Sequence, residues 1–168
     1  MVATMVLVRT VLIILALARQ DPAAQDPTAR EPTKVPNVSG TWMLSTASHT
    51  VPREVQSGVS NIGIAIGGRT VHITQTSTKL VITRAVPGGE VAFTVAVDGS
   101  ESTNMVETAK NVSTMSFDET HITIDSRTGT VRTKQILSVD GNALVVETIP
   151  TFFGQTPPEK LMMTYKKQ

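Results

Sequence analysis

The chain contains no cysteine among its 168 residues, so it has no disulfide framework, thiolate metal site or thiol nucleophile. Its stability has to come from an apolar core. Aromatic side chains are few: Trp42, Tyr165, Phe93, Phe117, Phe152 and Phe153 are the whole set. Surfaces that stack single strands or sugars use more rings than that. Charge of one sign is also lacking, with 15 basic against 14 acidic side chains and a formal net charge of +1. Nothing in that balance would hold nucleic acid or an anionic membrane. No Gly-x-Ser-x-Gly elbow is present, which removes the signature of a serine nucleophile. The glycines of residues 63–68 are not followed by Lys-Ser or Lys-Thr, so they do not make a phosphate loop. No motif asks for a cofactor, and apart from one weak trio no ligand cluster has metal-like spacing.

What is there begins with a leader. Arg9 precedes the apolar run of residues 11–18, which closes on Ala16-Leu17-Ala18. That order of charge, apolar run and small residues is the pattern of a secretory signal. The run falls short of the about 20 apolar residues that a spanning helix needs. Cleavage after Ala18 or Ala24 is expected, releasing an exported chain with no lasting membrane insertion. With residues 1–24 removed, acidic and basic side chains balance. Residues 25–36 hold Asp26-Pro27, Glu31-Pro32 and Val35-Pro36. Each proline removes a donor and keeps its predecessor extended, so this stretch reads as a disordered tether. Residues 37–168 form the domain.

Within that domain the polarity alternates in short runs. The turn signals between them are Pro87-Gly88-Gly89, Asp98-Gly99, Asp118-Glu119, Thr128-Gly129 and Asp140-Gly141. About ten strands at spacings of roughly 8 to 12 residues predict a sandwich or a barrel. Tight sequential hairpins favour the up-and-down meander, and closure removes the exposed edges. The expected fold is an all-β antiparallel barrel of about eight to ten strands. Asp98-Gly99 is a strong hairpin signal, because both central positions of that turn favour positive φ. Residues 46–68 are the longest stretch without period. Their apolar, glycine-bearing end forms either a lid over a cavity mouth or an ordinary long loop.

The stretch Gly40-Thr41-Trp42 opens the first strand and holds the only tryptophan. Glycine permits a tight bend or close approach there, and the indole can plug one barrel end. These residues resemble the Gly-x-Trp signature of the lipocalin and wider calycin group. The segments around 117–124 and 137–144 are similar to small lipocalin-like domains exported by bacteria. The resemblance implies a basic residue from the last strand packed over the tryptophan, and Lys166 or Lys167 stands at that place, Lys166 being the first choice. It also implies a lumen able to take a small ligand.

Three histidines are present, His49, His72 and His121. His72 and His121 lie on the strand face opposite their aliphatic neighbours. They face solvent if the aliphatic face is the core, and the lumen if it is not. Glu119, His121 and Asp125 share a strand face as a weak metal trio. Asn37-Val38-Ser39 and Asn111-Val112-Ser113 fit the glycosylation pattern.

Three functional readings follow. The first is a carrier or sensor for a small apolar molecule, lined by Ile64, Ile66, Phe93, Phe117, Phe152 and Phe153, with Gly40, Trp42 and Lys166 closing the barrel. The second is a non-catalytic interaction module whose lumen is filled by its own side chains. The third is an enzyme with a polar lumen, using His72 or His121 as acid or base.

Overall fold

The computed structural model describes residues 34–48, 64–86, 89–106, 108–152 and 160–168. Among these it forms ten strands and no helix: β1 (Gly40–Ser48), β2 (Thr70–Gln75), β3 (Lys79–Val86), β4 (Gly89–Ala96), β5 (Ser102–Val106), β6 (Ala109–Phe117), β7 (His121–Thr128), β8 (Val131–Asp140), β9 (Ala143–Phe152) and β10 (Leu161–Lys167). The runs are strands because β-branched and polar residues alternate along them, giving each an apolar and a wet face. In β7, Ile122, Ile124 and Ser126 are buried, while His121, Asp125 and Arg127 are exposed.

All pairings are antiparallel between chain neighbours, except that β1 also pairs with β10 and so joins the two ends of the meander. The result is the expected all-β antiparallel up-and-down barrel. Near its middle β1 shifts register between Leu44 and Thr46. That bulge bends the strand as it curves around the core. One seam remains, between β4 and β5, where side chains replace the backbone ladder. The Asn104 amide accepts from Thr94 N–H at 2.7 Å and donates to the Thr94 carbonyl at 2.9 Å. Ser102 Oγ accepts from Ala96 N–H at 2.9 Å.

The seam revises the reading of Asp98-Gly99. Gly99 does take a positive φ of 81°, so the turn forms. Asp98, however, accepts from both the N–H and the hydroxyl of Ser100. This Asx turn lengthens the connection and sends β5 away from β4.

Strand register divides the barrel into two ends. At one, β1 begins and β10 finishes, and the connections of residues 76–78, 97–101, 118–120 and 141–142 gather there. Its interior is an apolar cluster that includes Trp42, Ile73, Leu80, Ile82, Phe93, Val95, Ile122, Leu137, Leu144 and Val146. Towards the other end, the inward faces of β6 to β9 turn polar, while β2, β5 and β10 keep Val71, Val106 and Met163 inside.

Candidate functional site

The Trp42 end is built around one side chain. Trp42 is 1% exposed, and its indole N–H donates to the Val38 carbonyl at 2.9 Å. Val38 is itself buried, and its N–H donates to Gln75 Oε1 at 3.0 Å. Burying a ring this large is strongly favourable once its one polar atom is satisfied. Lys167, cross-strand partner of Trp42, places Nζ 5.4 Å from the ring centroid. Gly40 explains its own place in the motif. Its φ is +147°, and a Cβ there would stand 2.8 Å from Lys167 Cε. The lysine stem crosses the ring over the space that a side chain would occupy. Lys167 is therefore the cation over the indole, and Lys166 is not. Lys166 sits one residue back, pairs with Met43 and Ala143, and is exposed.

The candidate lining residues separate. Ile66 and Phe93 belong to the same buried cluster as Trp42, and Phe117 packs at its margin. Ile64 is 2% exposed. Residues 64–67 are all buried, so the glycine-bearing end of the long connection enters the fold instead of looping over solvent. The side chain of Phe152, and the whole of Phe153 and His49, lie outside the described residues. So do the leader and most of the tether. Val35, near the end of the stretch read as tether, packs partly buried against the core.

The histidines fall on the outer surface. His72 Nδ1 lies 2.9 Å from Thr41 Oγ1, and His121 Nδ1 is 2.7 Å from Thr120 Oγ1 and 3.3 Å from Asp118. Both are exposed, because the aliphatic faces of β2 and β7 do form the core. The polar-lumen enzyme thereby loses its two acid–base candidates. The metal trio is dispersed too, since Asp125 faces Lys134 at 3.9 Å and His121 turns back to its own hairpin. Asp118 there is held down to about 2, first by N–H donors from Thr120 and His121 and then by the Thr120 hydroxyl.

What the sequence reading missed is a polar row on the inner wall. Asn111, Ser113, Ser126, Thr133, Gln135 and Thr148 are each 8% exposed or less. They continue the inward faces of β6 to β9 beyond the apolar cluster. Gln135 is 1% exposed and uses its whole amide. Oε1 accepts from Ile66 N–H at 3.0 Å, and Nε2 donates to the Ile66 carbonyl at 2.8 Å and to Thr148 Oγ1 at 3.0 Å. One side chain thus seats the buried segment much as a neighbouring strand would. Asn111 donates to Thr128 Oγ1 at 2.8 Å and accepts from the Ser113 hydroxyl. Ser126 then donates to Ser113 at 3.0 Å. The second glycosylation pattern is consequently sealed inside, with Asn111 fully buried.

Tyr165 on β10 and Arg84 on β3 are buried as well. Tyr165 donates to the Gly68 carbonyl at 3.2 Å. Burial pushes its hydroxyl up to about 12, while the nearby Arg84 guanidinium pulls the other way. Arg84 also borders the buried segment, since a Cβ on Gly67 would stand 3.7 Å from its Nη1.

The signal for this row was in the sequence. Leu137 marks the inward parity of β8, and counting back by twos gives Gln135 and Thr133. The same count from Ile122 and Ile124 reaches Ser126, and from Met115 it reaches Ser113 and Asn111.

No protein-family model matches the chain, and no curated protein matches it significantly. Solved structures do. Fatty-acid-binding protein 1 of Echinococcus granulosus aligns with a TM-score of 0.58 at 12% identity, covering 77% of this chain and 96% of that one. The zebrafish ileal bile acid-binding protein, complexed with cholic acid, aligns at 0.55 and 20% identity, covering 77% and 98%. An abundant heat-soluble (SAHS) protein of Ramazzottius varieornatus aligns at 0.58 and 13% identity, covering 78% and 95%. At these identities the likeness is one of architecture alone, and it extends over nearly the full length of each of these proteins.

Proposed function

We propose that the protein is an exported, non-catalytic carrier or sensor that holds a small, mostly apolar molecule inside the barrel. The observation that carries this reading is the two-part interior. An apolar cluster fills the Trp42 end, and the same inward faces continue as six buried polar residues. Small-molecule sites have that composition, an apolar wall with a few placed polar groups. A core filled only by its own side chains is more stable when those positions are apolar. The fatty-acid-binding and bile acid-binding barrels of the same architecture are consistent with it.

The rival reading, a self-filled interaction module, has its own support. Ile64, Ala65 and Ile66 are buried, and Gln135 grips Ile66. One experiment separates the two. Protein purified from its own source is examined by native mass spectrometry, and the stripped protein is then titrated with a fluorescent fatty-chain probe. The carrier reading expects a retained small molecule and saturable binding at one site, with energy transfer from Trp42, the only indole. No retained mass together with no saturable binding would establish the filled module instead.

A further inference from the structure

Thr133 stands apart in the polar row. It is 2% exposed, and its Oγ1 has no hydrogen-bond partner among the described residues. Leaving a buried hydroxyl unpaired is costly, so such a group marks a place where a partner belongs. Its cross-strand neighbour on β7 is Ser126. Ser126 spends its proton on Ser113, which spends its own on Asn111. That relay leaves Ser126 with lone pairs to offer beside a hydroxyl proton on Thr133.

The charge of this wall narrows the choice of ligand. Among the described inward-facing residues of β5 to β9 none is charged; they are Asn, Ser, Thr, Gln, Pro and apolar side chains. The buried cation among the described residues, Arg84, belongs to β3, which β2, β1, β10 and β9 separate from β8 in the strand order, and it borders Gly67 and Tyr165. A carboxylate or phosphate on the β7–β8 wall would lose its water with no counter-charge, a heavy penalty. A hydroxyl loses little. Its oxygen can accept from Thr133 while its proton goes to Ser126, and both wall groups are then satisfied.

We propose that Thr133 and Ser126, backed by Ser113 and Asn111, seat the uncharged hydroxyl of an amphiphilic alcohol whose hydrocarbon part lies against the apolar cluster. The site rests on the carrier reading and adds the chemistry of the ligand's polar end. It requires no movement of Gln135, whose amide is already engaged by Ile66 and Thr148.

The test compares dodecan-1-ol, dodecanoic acid and dodecane as competitors of a bound fluorescent chain probe, on the full mature chain and two variants. On the unaltered protein the alcohol should outcompete both others, by roughly three- to tenfold over the alkane, the yield of one neutral hydrogen bond. Thr133→Val keeps the shape and removes the hydroxyl. It should bring the alcohol down to the alkane while the melting temperature holds or rises, because no bond within the protein is lost. Thr133→Ser should keep the preference for alcohol. An acid that competes as well as the alcohol would overturn the assignment, as would a preference that survives Thr133→Val. A Thr133→Val protein that melts earlier and binds none of the three would make Thr133 structural and end the proposal. Alkane binding with no gain for the alcohol would remove the head-group site and leave the carrier reading standing. Failure of every chain compound to compete, with the probe itself unbound, would remove both.

Discussion

The two ends of the barrel are made from the same strands and the same alternation, yet they treat polar atoms differently. At the Trp42 end the few buried polar groups are paired within the protein: the indole N–H with Val38, the Val38 N–H with Gln75, and Gln75 N–H with Ser39 Oγ at 3.1 Å. The remaining interior there is aliphatic or aromatic. Towards the other end the inner wall of β6 to β9 carries polar side chains, and one of them, Thr133, has no partner among the described residues. A sealed end of this kind supplies the stability that lets the opposite end carry a lining less favourable to folding. Function-bearing groups are commonly supported by such a rigid base.

That contrast can be broken from its stable side first. Trp42→Ala should cost roughly 3 to 5 kcal/mol, the range for truncating a large buried aromatic. Chemical denaturation followed by far-ultraviolet circular dichroism would measure it. A loss near zero would mean that the two ends do not differ in the way described.

Next comes Gln135→Leu, at the polar end. The substitution leaves the Ile66 N–H and carbonyl without their partners, and unpaired buried groups cost about 1–3 kcal/mol each. The leucine recovers part of this through apolar burial. A net loss of about 2 kcal/mol is expected, with faster hydrogen exchange confined to Ile66 and its neighbours. Exchange quickened throughout the barrel would instead make Gln135 part of the global core.

The third effect depends on pH. Tyr165 has a folded value near 12 against an ordinary 10. Between those values the unfolded chain has released its proton and the folded chain has not. The Tyr165 contribution is therefore complete below pH 10 and is lost as pH rises through 12, by roughly 3 kcal/mol in all. Since Tyr165 is the only tyrosine, its phenolate absorbance reports the titration directly. Tyr165→Phe should flatten the alkaline decline; an unchanged decline would assign it to other groups.

Smallest is the contrast between two adjacent lysines. Lys167→Ala should lose about 0.5–1 kcal/mol, as expected for an exposed cation over a ring. Lys166→Ala should lose nothing measurable. In the Trp42→Ala background the Lys167 effect should vanish, which is the coupling that a double-mutant cycle isolates.

Much of this architecture could be read from the chain. Alternation in residues 121–126 fixed both the strand and its buried face, and the positive-φ glycines at 129 and 141 mark turns that were legible as Thr-Gly and Asp-Gly. Gly40-Thr41-Trp42 pointed to the sealed end. The choice between Lys166 and Lys167 was not legible, because it depends on strand register, and one residue of slip moves a side chain to the other face. The break between β4 and β5 was hidden for a related reason. Asp98-Gly99 encodes a turn, whereas the departure of β5 depends on Ser100 and Asn104 acting from outside it. The polar row was overlooked because inward positions were sought among apolar residues. Parity with Leu137, Ile124 and Met115 places Gln135, Ser126 and Ser113 inside whatever their polarity.

The burial of Asn111 has a consequence for how the protein is made. Asn37 and Asn111 carry the same three-residue acceptor pattern, but Asn37 is exposed and Asn111 lies wholly within the barrel. In a host whose secretory route attaches sugar to such patterns, a glycan on Asn37 leaves the fold intact. A glycan on Asn111 and a closed barrel exclude each other. Sugar occupancy at Asn111 would then act as a clock, recording for each molecule whether the transferase or the closing of β6 against β7 came first.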